Sequence, residues 1–216
     1  MTPPATVAGQ LEGFDYVLEP GTSDWTLVLL HGTGGDEHDL LDLGRTIAPE
    51  ATLVGVRGTV LENGVTRRFF ARRSMTDIDV EDMLAKTDDL HRFLTGLVTS
   101  RALDATRIAV VGYSNGANIA LSLLLRHPGV VRAAGLLRPV LYHVPDPVPS
   151  LADTTVLAAV GGRDPFTPPA TVDALRRVLR DGGATADVRV APDAGHELRQ
   201  EDLAALTTWA RSVMTP

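Results

Sequence analysis

Short apolar runs that stop abruptly at glycine or proline recur along this chain, and amphipathic segments fill the gaps between them. Thr26-Leu27-Val28-Leu29-Leu30 ends at His31-Gly32, Thr52-Leu53-Val54-Gly55-Val56 at Arg57-Gly58, and Arg107-Ile108-Ala109-Val110-Val111 at Gly112. Residues 133–137 stop before Pro139, 155–160 at Gly161-Gly162, and 187–190 before Pro192. Runs without polar alternation fit strands covered on both faces, as in a parallel sheet. Phe14-Asp15-Tyr16-Val17 alternates and is expected at the sheet edge. Residues 82–98 place Met83, Leu90, Phe93, Leu94 and Leu97 at helical spacing, and 115–126, 169–181 and 200–214 read similarly. Strands alternating with helices predict an α/β domain built on a mostly parallel, doubly wound sheet.

At 216 residues and 23.0 kDa the chain suits one domain, 1–216, with residues 1–12 expected as a loose N-terminal tail. No linker or repeat divides it. Cysteine is absent, which excludes disulfides, thiolate metal sites and a cysteine nucleophile. The net charge of −7, with no concentrated basic run, argues against a nucleic-acid partner. The N-terminal residues lack a basic segment followed by an apolar one, and no apolar stretch is long enough for a membrane span. The expectation is a cytoplasmic protein without a membrane partner.

Gly112-Tyr113-Ser114-Asn115-Gly116 lies between an apolar run and a helical pattern, the setting that a nucleophile elbow requires. A serine hydroxyl needs a base to take its proton. Of six histidines, His196 in Ala194-Gly195-His196-Glu197 follows the last expected strand, where the Ser…Asp/Glu…His order places the base. Asp164 follows the preceding strand and would hold the imidazole tautomer. Asp193 is its rival, but shares the histidine's loop. In His31-Gly32-Thr33-Gly34-Gly35 the Thr33 N–H could form an oxyanion hole with that of Asn115. A dinucleotide fingerprint fails here because position 37 is Glu37, and a zincin pattern fails at Gln200. The run from Asp36 to Asp39 is expected to cap the next helix. No cofactor or metal is implied.

Leu30-His31-Gly32-Thr33-Gly34-Gly35-Asp36, the elbow, Gly162-Arg163-Asp164-Pro165 and Gly195-His196-Glu197 together resemble the phospholipase/carboxylesterase family, over roughly residues 14 to 213. That family includes acyl-protein thioesterases and small bacterial carboxylesterases. The resemblance implies an α/β-hydrolase fold, a triad of Ser114, Asp164 and His196, oxyanion amides at Thr33 and Asn115, and an aromatic loop at Arg68-Phe69-Phe70. Thioesterase members usually carry glutamine where Asn115 stands, and a small-residue turn where this chain has Leu136-Leu137-Arg138-Pro139. Both departures favour the bacterial carboxylesterase branch. A dienelactone hydrolase, a related fold, would use cysteine.

Residues 138–154, broken by four prolines, are too short for a cap domain. An open site follows, walled by Phe70, by the stretch from Leu137 to His143, and by Phe166, and suited to short-chain or aryl esters. The expected partner is therefore a small-molecule ester, with a homodimer left open. Thioester or lysophospholipid hydrolysis by the same triad and a non-catalytic binding protein of this fold are the alternatives.

Overall fold

Eight strands form one sheet in a computed structural model of the chain, which describes residues 6–74 and 77–214. In chain order the elements are β1 (Val7–Leu11), β2 (Phe14–Glu19), β3 (Thr26–Leu30), α1 (Leu41–Ile47), β4 (Thr52–Val56) and a small hairpin, β5 (Val60–Glu62) with β6 (Thr66–Arg68). Then come α2 (Val80–Arg101), β7 (Ile108–Tyr113), α3 (Asn115–Arg126), β8 (Ala133–Leu137), β9 (Thr155–Gly161), α4 (Pro169–Asp181), β10 (Thr185–Ala191) and α5 (Gln200–Val213). The sheet order is β1-β2-β4-β3-β7-β8-β9-β10, antiparallel where β2 meets β1 and β4 and parallel elsewhere.

The unbroken apolar runs have the physical cause expected of them. Along β3, Val28 and Leu30 face one core layer with Leu90 and Phe93 of α2, Ile119 of α3 and Leu175 of α4. Leu27 and Leu29 face the other layer with Leu41 and Ile47 of α1 and Leu206 and Trp209 of α5. Each fully buried side chain of this size contributes roughly 1.5–3 kcal/mol, so both faces must be apolar. Leu30 pairs with Gly112, and Tyr113 with Leu137. The strands therefore end together, and the loops after β3, β7 and β8 meet at one edge. Residues 138–154 contain no helix, so this segment places no helical cap over that edge.

The N-terminus departs from expectation. Residues 7–11, assigned to a loose tail, form the edge strand β1, and β2 becomes an interior strand. The signal lies in the turn: Glu12 and Gly13 both have positive φ, 49° and 82°, which suits a two-residue hairpin. Residues 1–5 of the expected tail lie outside the described residues. The acidic run does not cap α1 either, whose N-cap Leu40 makes no side-chain bond. Glu37 is instead buried in a two-pronged ion pair with Arg57.

Candidate active site

Ser114 occupies the join between β7 and α3 at φ 52° and ψ −113°, a conformation that costs a non-glycine residue on the order of 1–3 kcal/mol. Its glycine neighbours make the turn feasible. A Cβ on Gly112 would lie 2.4 Å from the Gly116 carbonyl oxygen, and one on Gly116 would lie 2.0 Å from that of Leu30. The Ser114 N–H donates to the Leu137 carbonyl at 2.8 Å, which anchors the turn to β8.

From there a chain of hydrogen bonds crosses three loops. Ser114 Oγ lies 2.8 Å from His196 Nε2, and His196 Nδ1 lies 2.8 Å from Asp164 Oδ2. Asp164 is buried, and its other oxygen accepts the Phe166 N–H at 2.9 Å. A carboxylate on Nδ1 fixes the proton there and leaves the Nε2 lone pair facing the serine. Asp193 is excluded from this chain, being exposed and paired with Arg163 at 2.5 Å.

A cavity of about 250 Å³ lies over Ser114 and His196. Thr33, Asn115 and Asn118 line it, together with Val140, Tyr142, Phe166, Arg68 and Arg72. The first turn of α3 holds two of its walls in place. Asn115 Oδ1 accepts the Phe69 N–H, and Asn118 Oδ1 accepts the Val140 N–H, each at 2.7 Å.

The dienelactone hydrolase family matches residues 58–208. The chain belongs to the dienelactone hydrolase family. It is also 42% identical over 199 residues to MhqD of Bacillus subtilis (strain 168), a hydrolase by provisional name, covering 92% of this chain and 98% of that one. Among solved structures it resembles the carboxylesterase of Bacillus cereus, with a TM-score of 0.88 and 33% identity, covering 93% of this chain and 95% of the other. A carboxylesterase from Mesorhizobium loti gives a TM-score of 0.84 and 38% identity, covering 94% and 97%. The chain is thus a hydrolase with the α/β-hydrolase fold. The separation from dienelactone hydrolases drawn from the missing cysteine does not hold at family level: this dienelactone hydrolase family member has Ser114 at the elbow.

Within this family member, the expected wall residues fare unequally. Phe166 lines the cavity and packs edge-on to the His196 ring at 5.1 Å. Phe70 is fully buried beneath it, edge-on to Tyr142 at 6.5 Å, so it supports the wall without forming it. Leu137 is also fully buried, in the layer packed on α5, and offers the site only its carbonyl. His143 turns away into a separate cavity of about 160 Å³ beside Leu84, Leu125 and Arg126. Tyr142, its neighbour, takes the inward place, and burial raises the phenol's pKa.

Arg72 and Asn118 lie outside the expected set, whereas Val140 falls within the expected wall stretch 137–143 and Arg68 within the expected aromatic loop. Asn118 had a legible signal, since it stands three residues after Asn115 on the same helical face. Arg68 is buried, and it donates to Thr33 Oγ1 at 2.8 Å and to the Phe70 carbonyl at 3.1 Å. Burial, and then the charge of Arg72, lower its pKa. No described carboxylate lies within ion-pair distance of it, whereas Arg72 is forked onto Glu62. His31, next to Thr33, serves the fold. Its Nε2 accepts the Gly58 N–H at 2.9 Å, so Nδ1 carries the proton towards the Gly32 carbonyl, and burial lowers its pKa.

Proposed function

We propose that this hydrolase is a serine carboxylesterase acting on small carboxylic esters. The observation that carries the reading is the unbroken Ser114–His196–Asp164 chain, with both contacts at 2.8 Å. Ser114 Oγ attacks the ester carbonyl carbon while His196 Nε2 takes its proton. The carbonyl oxygen becomes an oxyanion, stabilised by the Thr33 and Asn115 N–H groups. The latter is at the first position of α3, where the helix leaves it without an internal acceptor. The Arg68 charge beside Thr33 adds favourable potential. Collapse expels the alcohol with the proton from His196 and leaves an acyl-serine. Water then attacks, its proton passing to His196 and back to Ser114 as the acid leaves. Asp164 stabilises the imidazolium formed in each half-reaction.

The supporting features for substrate size are the missing cap and the small cavity, which suit short acyl chains or aryl esters. The test is hydrolysis of p-nitrophenyl acetate combined with labelling by a fluorophosphonate. Wild-type protein should be labelled at Ser114 and turn over the ester. Ser114→Ala should lose both while keeping its melting temperature. A mutant retaining more than a few per cent of activity would end the reading.

A further inference from the structure

Arg138 lies just past β8, outside the hydrogen-bond chain and outside the cavity. It is completely buried, has a positive φ of 56°, and uses all five guanidinium N–H groups. Nη1 donates to Asp202 Oδ1 and to the Ala159 carbonyl, each at 3.1 Å, and Nη2 donates to Asp202 Oδ2 at 2.5 Å. The remaining two bonds reach the loop that carries the base. Nε donates to the Gly195 carbonyl at 3.1 Å, and Nη2 to the Glu197 carbonyl at 2.7 Å. The carbonyl between them, that of His196 itself, accepts from the Tyr113 hydroxyl at 3.1 Å. Three consecutive carbonyls are thus pinned, and two of them by one side chain.

We propose that Arg138, locked by Asp202, is a positioning residue that fixes the angle at which His196 meets Ser114. The inference rests on the serine-esterase reading above. A buried ion pair is weak evidence for a stability role, because an apolar pair of similar volume can do as well. A side chain retained for stability alone has no need to grip the carbonyls of both residues that flank the base. Arginine meets the geometry because its rigid fork serves a carboxylate and two carbonyls at once, which a single ammonium cannot do. Misplacement of a reacting group by about 1 Å can cost on the order of 100-fold in rate.

Two variants test this. Arg138→Lys keeps a cation opposite Asp202 but loses the fork, and Arg138→Met/Asp202→Leu removes both charges at similar volume. The expected result in each is a folded protein whose kcat on p-nitrophenyl acetate falls about 10- to 100-fold. KM should stay within about twofold, and fluorophosphonate labelling of Ser114 should slow by the same factor as kcat. The lysine variant should retain the larger share. A folded double variant with kcat and labelling rate within about twofold of wild type overturns the proposal, whatever its melting temperature. If the double variant does not fold, the lysine variant decides by the same criterion. Wild-type protein that the fluorophosphonate fails to label at Ser114 overturns the serine-esterase reading itself, and this inference with it.

Discussion

Two neighbouring strands of this sheet end in the same backbone device and put it to different uses. Tyr113 and Leu137 are paired across β7 and β8, and the residue after each, Ser114 or Arg138, has a positive φ of 52° or 56°. Each then donates its N–H to the next strand, Ser114 to Leu137 and Arg138 to Ala159, both at 2.8 Å. At the first turn the side chain is small and half-buried, and it opens onto the cavity. At the second it is large, fully buried and turned onto the loop that carries His196. A strained residue at a strand end therefore need not open onto the cavity. What distinguishes them is where the side chain's bonds go.

Replacing each strained residue by glycine should separate the two uses most sharply. Ser114→Gly relieves the backbone and removes only a small side chain. Stability should rise by about 1 kcal/mol in urea unfolding. Ester hydrolysis should fall by on the order of 10⁴–10⁶. A loss of stability would mean that the first turn is not strained in the way described. The rest of the hydrogen-bond chain comes next. Asp164→Asn should cost about 10⁴ in kcat because asparagine favours the wrong imidazole tautomer. Asp193→Asn, altering an exposed pair with Arg163, should stay within about twofold of wild type. A larger effect at Asp193 than at Asp164 would reassign the acid.

At the second turn the same change to glycine should act in the opposite direction on stability. Arg138→Gly also relieves a positive φ, yet it strands Asp202, which is only 5% exposed, without its cation. Breaking one side of a buried pair costs about 3–5 kcal/mol. The chemical denaturation midpoint should drop accordingly. Unchanged stability would show that Asp202 finds other partners, and would remove the contrast between the turns.

The two turns also differ in how well the sequence announces them. The elbow was legible because Gly112 and Gly116 flank Ser114 between an apolar run and a helical pattern. Asp164 and His196 were legible because the strand order reserves a place for each. Leu136-Leu137-Arg138-Pro139 stood out only as a departure from a family pattern. Nothing local says that its arginine will meet Asp202 and residue 195, which are brought near only by the completed sheet. The cavity walls were partly illegible for a related reason. Strand periodicity does not extend into an irregular loop, so Tyr142 and His143 could not be told apart as the inward residue. Leu137 was misplaced because the last residue of a strand still belongs to one sheet face, here the one covered by α5. β1 was hidden for lack of a regular apolar pattern: its Val-Ala-Gly-Gln-Leu is largely exposed and owes its pairing to the Glu12-Gly13 turn.

The gentlest expected effect concerns how far the acyl chain is gripped above the first turn. Ligand pockets for drug-sized molecules usually enclose about 300–1,000 Å³, and the cavity over Ser114 holds about 250 Å³. Its apolar contacts are Val140, Tyr142 and Phe166, and four of its other residues, Thr33, Arg68, Arg72 and Asn118, are polar. A buried methylene contributes about 0.8 kcal/mol, but only where protein covers it. Gains in kcat/KM should therefore stop after the first few carbons, each adding about fourfold or less, and long chains should extend into solvent without further benefit. No helix between residues 138 and 154 is present to close over them or to open at a lipid surface. The measurement is kcat/KM for p-nitrophenyl esters from acetate to palmitate, alongside emulsified triglyceride. A plateau or decline beyond short chains, with no rise in rate above the solubility limit, fits an open site. A maximum at palmitate would show that the loops bearing Val140 and Tyr142 rearrange into a longer channel, and the walls described above would not be those of the working enzyme.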